Sequence, residues 1–291
     1  MTGPVFNENR PPFVSVGVPT FNRPKTLRKA LELLLAQTWT DLEIIVSDNR
    51  STDPEVDRVL DEFVERDHRI KVFRQRENIG AVANFLFVLE QAAGEFFMWA
   101  ADDDEWAPDF IETLVREIDG VGLAMTDFET VFHAKSEVVQ VRMPVLSPQK
   151  PVLDNALSFL HNMQPSLIYG LHRRRLLNEC IIRRNFDLWD CAVVFKILLR
   201  NGIRTVSSFK YRAGVHTPNY KIKTVSRGKL SLRSAAVEML IETWRCDRLG
   251  ILAKLRLSGS ILWTVWTLRR HLQPLLERQW KEQQASRRTH A

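Results

Sequence analysis

The chain has 291 residues, 45% hydrophobic and 26% charged, which allows one large domain or one domain with a helical appendage. Its net charge of +6 is local: residues 251–291 carry eight Lys and Arg against two Glu, and residues 1–250 balance at 33 against 33. A neutral body argues against a nucleic-acid-binding surface, whereas a basic tail favours an anionic partner such as a membrane face.

Met1–Pro12 is polar and proline-bearing, with no apolar segment of the signal-peptide kind. No uninterrupted apolar stretch approaches the roughly 20 residues of a membrane-spanning helix. Cys180, Cys191 and Cys246 show no paired spacing, so small core thiols in a reducing cytoplasm are expected rather than a disulfide framework.

In chain order, Phe13–Val18 reads as a buried strand that stops at Pro19, and Asn22 with Pro24 opens a helix to about Ala36. Leu42–Val46 is a second strand and Pro54–Arg66 a second helix; Ile70–Phe73 and Ala81–Ala93 form a third pair. Phe96–Ala100 is a fourth strand that runs into three aspartates, followed by a helix over Pro108–Ile118 and a fifth strand over Val121–Met125. Residues 130–165 read as hairpins and loops. Trp189–Arg200 is a helix ended by Asn201-Gly202, and the chain is helical past about residue 228. Strand–helix alternation with short links predicts an α/β fold, a mainly parallel sheet covered on both faces. Ligands of such sheets bind beyond the carboxyl ends of the strands. The polar clusters Thr20–Arg23, Ser47–Asp53 and Asp102–Asp104 fall at those ends, which suggests one shared site.

Asp102, Asp103 and Asp104 crowd like charges unless a cation or hydrogen-bond donors offset them. Their oxygen ligands suit Mg²⁺ or Mn²⁺, ions that commonly also hold substrate phosphates. The plainer alternative is a solvated acidic turn ahead of the helix near Pro108. No G-x-G-x-x-G or Walker sequence is present, so a bound diphosphate would need a metal or basic side chains such as Lys25, Arg74 and Arg76.

V-P-T-F-N-R (Val18–Arg23), I-I-V-S-D-N-R-S-T-D (Ile44–Asp53), N-I-G-A-V-A-N-F (Asn78–Phe85) and A-D-D-D-E-W-A-P-D (Ala101–Asp109) follow one another in the order of a known family. Over roughly residues 13–130 the chain resembles the family-2 glycosyltransferases of GT-A fold, nearest in motif style to bacterial surface-polysaccharide and abequosyltransferase-like enzymes. The resemblance implies a nucleoside-diphosphate-sugar donor, a Mn²⁺ or Mg²⁺ cofactor, and a glycan or lipid-linked acceptor. Pro19, Thr20, Asn22 and Arg23 occupy the first nucleotide-contacting loop. Asp48 matches the carboxylate that contacts the donor base, and Asn78 lies where the donor site is completed. Asp102 and Asp104 fit the D-x-D spacing that holds metal and donor. In the other register of the motif its first Asp falls on Ala101, and Asp103 and Asp104 become the functional pair; Asp104 serves in both.

Inverting members need a general base for the acceptor hydroxyl, and Asp190 in F-D-L-W-D-C-A (Phe186–Ala192) sits about where the family supplies one, with Asp187 as the substitute. Helix capping is the competing reading of Asp190. His216 falls where several relatives place a metal- or diphosphate-adjacent His, and a lone loop His is also commonly structural. The resemblance implies a catalytic domain over 1–228, with a donor half at 13–130 and an acceptor half at 131–228, and a helical extension at 229–291. Trp263, Trp266 and Trp280 among Leu and Arg suit either an interfacial helix on anionic lipid or packing against the catalytic domain or a second subunit. Two rival functions stay open: a catalytically silent nucleotide-sugar-binding assembly subunit, and a nucleotidyltransferase.

Overall fold

The computed structural model describes residues 13–132, 137–184, 186–215 and 232–288. Four strands of the first hundred residues, β1 (Val14–Thr20), β2 (Leu42–Asp48), β3 (Ile70–Arg74) and β4 (Phe96–Trp99), pair with one another in parallel in the order β3-β2-β1-β4. All seven residues of β1 and of β2 are buried, as central strands covered on both faces must be. The covering helices are α1 (Pro24–Leu35), α2 (Pro54–Arg66), α3 (Ala81–Glu90) and α4 (Phe110–Glu117). Local chemistry starts α2 where expected: Pro54 takes the first turn, and the Asp53 side chain accepts the Glu55 N–H at 3.0 Å. Its Val56, Val59, Leu60 and Phe63 then fall on one buried stripe.

The chain runs outward from β1 to β3 and returns to place β4 on the other side of β1. That reversal opens a crevice at the carboxyl ends of β1 and β4. Pro19 fits there for a backbone reason. Gly17 accepts the Ala100 N–H at 2.9 Å on the β4 side, and Pro19, two residues on, faces the same way beyond the last β1–β4 pair, Gly17 with Trp99.

The second half adds β5 (Glu105–Trp106), β6 (Leu123–Phe132), β7 (Glu137–Val141), α5 (Val152–His161), a 3₁₀ turn (Pro165–Tyr169), β8 (Leu171–Arg173), α6 (Arg174–Cys180), α7 (Trp189–Asn201), β9 (Ile203–Val215), α8 (Arg233–Arg245) and α9 (Ile251–Arg288). The sheet continues β4-β8-β6-β9-β5, with β7 beside β6. Here β4–β8, β8–β6, β6–β7 and β9–β5 are antiparallel and β6–β9 is parallel. The fifth expected strand is β6, which runs on to Phe132 and is parted from β4 by β8, a three-residue strand too short to show a period. Within the segment read as hairpins and loops, β6 and β7 do pair as a hairpin, but residues 152–161 are helical. The polar residue Asn155 hides that stripe: it is buried beside Ala156, Phe159 and Leu160 because its amide donates to the Ser147 carbonyl at 2.7 Å.

Gly170 leads the chain into β8, and a Cβ there would meet the Ala124 backbone oxygen at 2.4 Å. Gly170→Ala is expected to cost about 1–3 kcal/mol, as overpacking in a close-packed sheet does, and to lower the urea midpoint without changing the slope.

At the far end, α8 docks on α7 through Arg200 Nε, which donates to the buried Glu242 Oε1 at 2.6 Å. The expected boundary at residue 228 lies outside the described residues. Among the described residues no helix is long and apolar enough to cross a membrane. Cys180, Cys191 and Cys246 are buried and free, as small core side chains.

Candidate active site

The loops after β1, β2 and β3 are fastened to one another by the side chains the motifs single out. Asn22 sits in the left-handed region, φ +54°, which Asn tolerates better than most residues. Its carboxamide oxygen accepts the Thr52 N–H at 2.7 Å and the Asp53 N–H at 3.1 Å. The Asp48 carboxylate accepts the Ser51 N–H at 3.1 Å and also the Ser51 hydroxyl. Asn78 Oδ1 accepts from Asn49 Nδ2 at 3.2 Å and from the Gly80 N–H at 3.0 Å. Asn22, Asp48 and Asn78 thus shape the rim of the crevice. Arg74, considered as a phosphate helper, is held by Asp57 and Asp61 of α2. An open depression of about 380 Å³ lies at the start of α1, lined by Arg23, Pro24, Lys25, Thr26 and Asp53.

The three aspartates after β4 diverge. Asp102 is buried; its Oδ2 accepts the Thr20 hydroxyl at 2.7 Å and its Oδ1 accepts from Arg23 Nη1 at 3.0 Å. Asp103 lies further out and takes the same guanidinium nitrogen at 2.7 Å. Asp104 is buried against β9, where Oδ2 accepts the Tyr211 hydroxyl at 2.6 Å and Oδ1 the Gly214 N–H at 3.1 Å. Both of those partners are neutral. Burial therefore lifts the Asp104 carboxyl to about 8, against the hydrogen bonds that oppose it. Burial also lifts Asp102, but Arg23 and Thr20 restrain it to about 6. The cluster suggested mutual repulsion from the sequence; desolvation is the larger cause at both residues.

A divalent cation is the group that the resemblance implies here. A buried carboxylate with only neutral donors against it suits one, and Asp102 and Asp104 are the two inward members of the run. Among the described residues no three His, Cys, Asp or Glu side chains gather into a ready-made cage. His216 lies outside the described residues.

Tyr211 escaped the sequence reading, since nothing local links position 211 to position 104. The one available signal was alternation in β9: Lys210 and Arg212 pair outward with Asp109 and Glu129, and Tyr211 between them is buried.

Asp190 lies in the first turn of α7, with Leu188 rather than an acidic residue at the cap. Leu188 adopts φ +61°, a left-handed turn between Asp187 and Asp190 that is strained for a bulky side chain. Asp190 is half-buried, its Oδ1 accepts the Cys191 N–H at 2.7 Å, and burial raises its pKa. Trp189, beside it, meets the fully buried Trp99 ring edge-on with centroids 6.4 Å apart, tying the start of α7 to the last residue of β4. Trp99 also meets His172 at 5.8 Å, and burial pushes that imidazole down to about 4, so it packs as a neutral ring.

This sheet, with its carboxylates beyond β4, is that of the GT-A glycosyltransferases. S. aureus TarS in complex with UDP-GlcNAc superposes with a TM-score of 0.72 at 19% identity, over 88% of this chain and 73% of that one. The mannosyltransferase PcManGT of Pyrobaculum calidifontis, in complex with GDP-Man and Mn²⁺, gives 0.60 at 16% identity, over 97% of this chain and 77% of that one. The family model described as glycosyl transferase family 2 matches residues 15–174, and the chain belongs to that family. Among curated proteins, the GalNAc(5)-diNAcBac-PP-undecaprenol beta-1,3-glucosyltransferase of Campylobacter jejuni is 41% identical over 107 residues, covering 36% of this chain and 34% of that protein. The chain spans about a third or less of the length of several such relatives.

Proposed function

We propose that the chain transfers a sugar from a nucleoside-diphosphate donor to a glycan or lipid-linked acceptor, with inversion, in the crevice at the ends of β1, β2 and β4. The observation that carries this reading is the pair of inward carboxylates after β4, Asp102 and Asp104, the second set against neutral donors only. These two would hold Mn²⁺ or Mg²⁺, and in this reading the D-x-D register applies, with Asp103 turned to Arg23. A bound divalent ion would supply positive charge against the departing nucleoside diphosphate. Arg23, half-exposed beside the carboxylates, offers a second cation on the same side. The loops shaped by Pro19, Thr20, Asn22, Asp48 and Asn78 would seat the nucleotide.

Asp190 takes the proton from an acceptor hydroxyl as that oxygen bonds to the anomeric carbon and the bond from carbon to diphosphate oxygen breaks. Burial, which raises its pKa, makes it a better proton acceptor than an exposed Asp. The donor class is supported by the UDP-GlcNAc and GDP-Man complexes of structural neighbours, and the acceptor class by the polyprenyl-linked acceptor in the C. jejuni relative's name. Family membership sets aside the nucleotidyltransferase alternative.

Calorimetric titration with UDP, GDP, dTDP and CDP, with and without Mn²⁺ or Mg²⁺, tests the reading. One diphosphate is expected to bind, and only with metal. A folded chain that binds none of them would overturn the donor assignment.

A further inference from the structure

Helix α9 is apolar on two opposite sides. Leu257 and Ile261 are fully buried on the inner side, where α9 packs on α5 and α8. At about 100° per residue, Leu252, Leu255, Leu262, Trp263 and Trp266 fall on the opposite side. That side is open: Leu252 is 78% exposed, and Trp263 and Trp266 are 56% exposed each. The stripe runs from residue 252 to 266, about 21 Å of helix. A helix on the surface of a globular protein ordinarily turns charge outward, so an outward apolar stripe of this length marks a contact surface.

Charge identifies the occupant. Residues 251–271 contain Lys254, Arg256, Arg269 and Arg270 and no carboxylate. Arg256, Arg269 and Arg270 are exposed, and the Arg270 guanidinium stands 5.3 Å over the Trp266 ring. Helical spacing puts Arg256 and Arg270 at the edge of the stripe beside Trp263 and Leu252. A second copy of the chain meeting this face about a two-fold axis would set the same cations against one another. An anionic bilayer gives the arginines phosphate and the indoles the boundary between headgroup and acyl chain, where such rings are favoured.

We propose that the outward face of α9, from Leu252 to Trp266 with Arg256, Arg269 and Arg270, lies on an anionic phospholipid surface. This places the catalytic body beside the bilayer, where a lipid-linked acceptor would be presented. The surface itself does not depend on the transferase reading.

The test is co-sedimentation of the full chain with vesicles of phosphatidylcholine alone or mixed with phosphatidylglycerol, at low and high salt. The chain is expected to partition to the mixed vesicles and to be released by salt. Trp263→Ser with Trp266→Ser should weaken partition by about tenfold or more, and Arg256→Glu with Arg270→Glu should abolish the preference for phosphatidylglycerol. All four side chains are exposed, so both variants should melt like the unaltered chain and bind nucleoside diphosphate as it does. That control separates failure of the surface from failure of the donor site. No partition of the unaltered chain, or equal partition of the variants, would overturn the proposal. So would self-association in light scattering that the tryptophan variant removes, because that result assigns the face to a second copy.

Discussion

Asp104→Asn is expected to reduce sugar transfer by roughly 10²–10³-fold or more while giving a chain that melts higher than the unaltered protein in the presence of a chelator. The first effect follows from the loss of a carboxylate that would hold charge against the leaving diphosphate, a contribution of the size seen when one transition-state-stabilising group is removed. The second follows from burial. Asp104 titrates at about 8 in the fold against 3.8 for an ordinary Asp, so between those values the folded chain holds a proton that the unfolded chain has released. Stability from this group is complete below pH about 4 and is lost as pH rises through about 8. Asn does not titrate. Its Oδ1 can accept the Gly214 N–H and its Nδ2 can donate to the Tyr211 oxygen, so both contacts survive. The stability gained should therefore grow from pH 5 to pH 8, by a few kcal/mol in order of magnitude, and the melting temperature should rise with it. Calorimetry across that range and a transfer assay with the matched donor read the two effects separately. Retained transfer would remove Asp104 from the chemistry. A melting difference flat with pH would show that its carboxylate is not desolvated.

The parallel half of the fold was legible because its signals are local. Buried valine and isoleucine runs, Pro24 and Pro54 at helix starts, and Gly202 past the end of α7 each act within a few residues of where they are read. The second half was less legible because its order is set at long range. β8 is three residues placed between β4 and β6 by pairing with both, and α5 carries a buried Asn whose partner is eight residues away. The same division holds in the candidate site. The Asp102–Asp104 run can be read directly, but which members face inward depends on Thr20, Arg23, Tyr211 and Gly214. Those contacts span 79 to 110 positions, and no periodicity in one segment encodes them. The motif alignment named Asn22, Asp48 and Asn78 without indicating that Asn22 and Asn78 also fasten one loop to another and that Asp48 closes the turn after β2.

Asp190→Asn is the sharper discriminator between an enzyme and a silent donor-binding subunit, with an expected fall in kcat of about 10²–10⁴-fold, the usual contribution of a positioned general base. The substitution keeps side-chain shape and leaves an oxygen to accept the Cys191 N–H, so α7 should start as before. Trp189 still packs on Trp99, and the donor loops of β1 and β2 are untouched, so nucleoside-diphosphate affinity should be unchanged. The pH profile supplies an independent sign. A base must be ionised, and burial raises the Asp190 pKa, so the acid limb of kcat/KM should lie above the pH range of an exposed Asp. Asp187→Asn should leave that limb in place, because Asp187 precedes the left-handed turn at Leu188 and stands outside the helix that α7 presents to Trp99. If Asp187→Asn instead removes turnover and Asp190→Asn does not, the base is Asp187. If neither does, neither carboxylate near the α7 start deprotonates the acceptor, and the strain at Leu188 serves only to set the helix against β4.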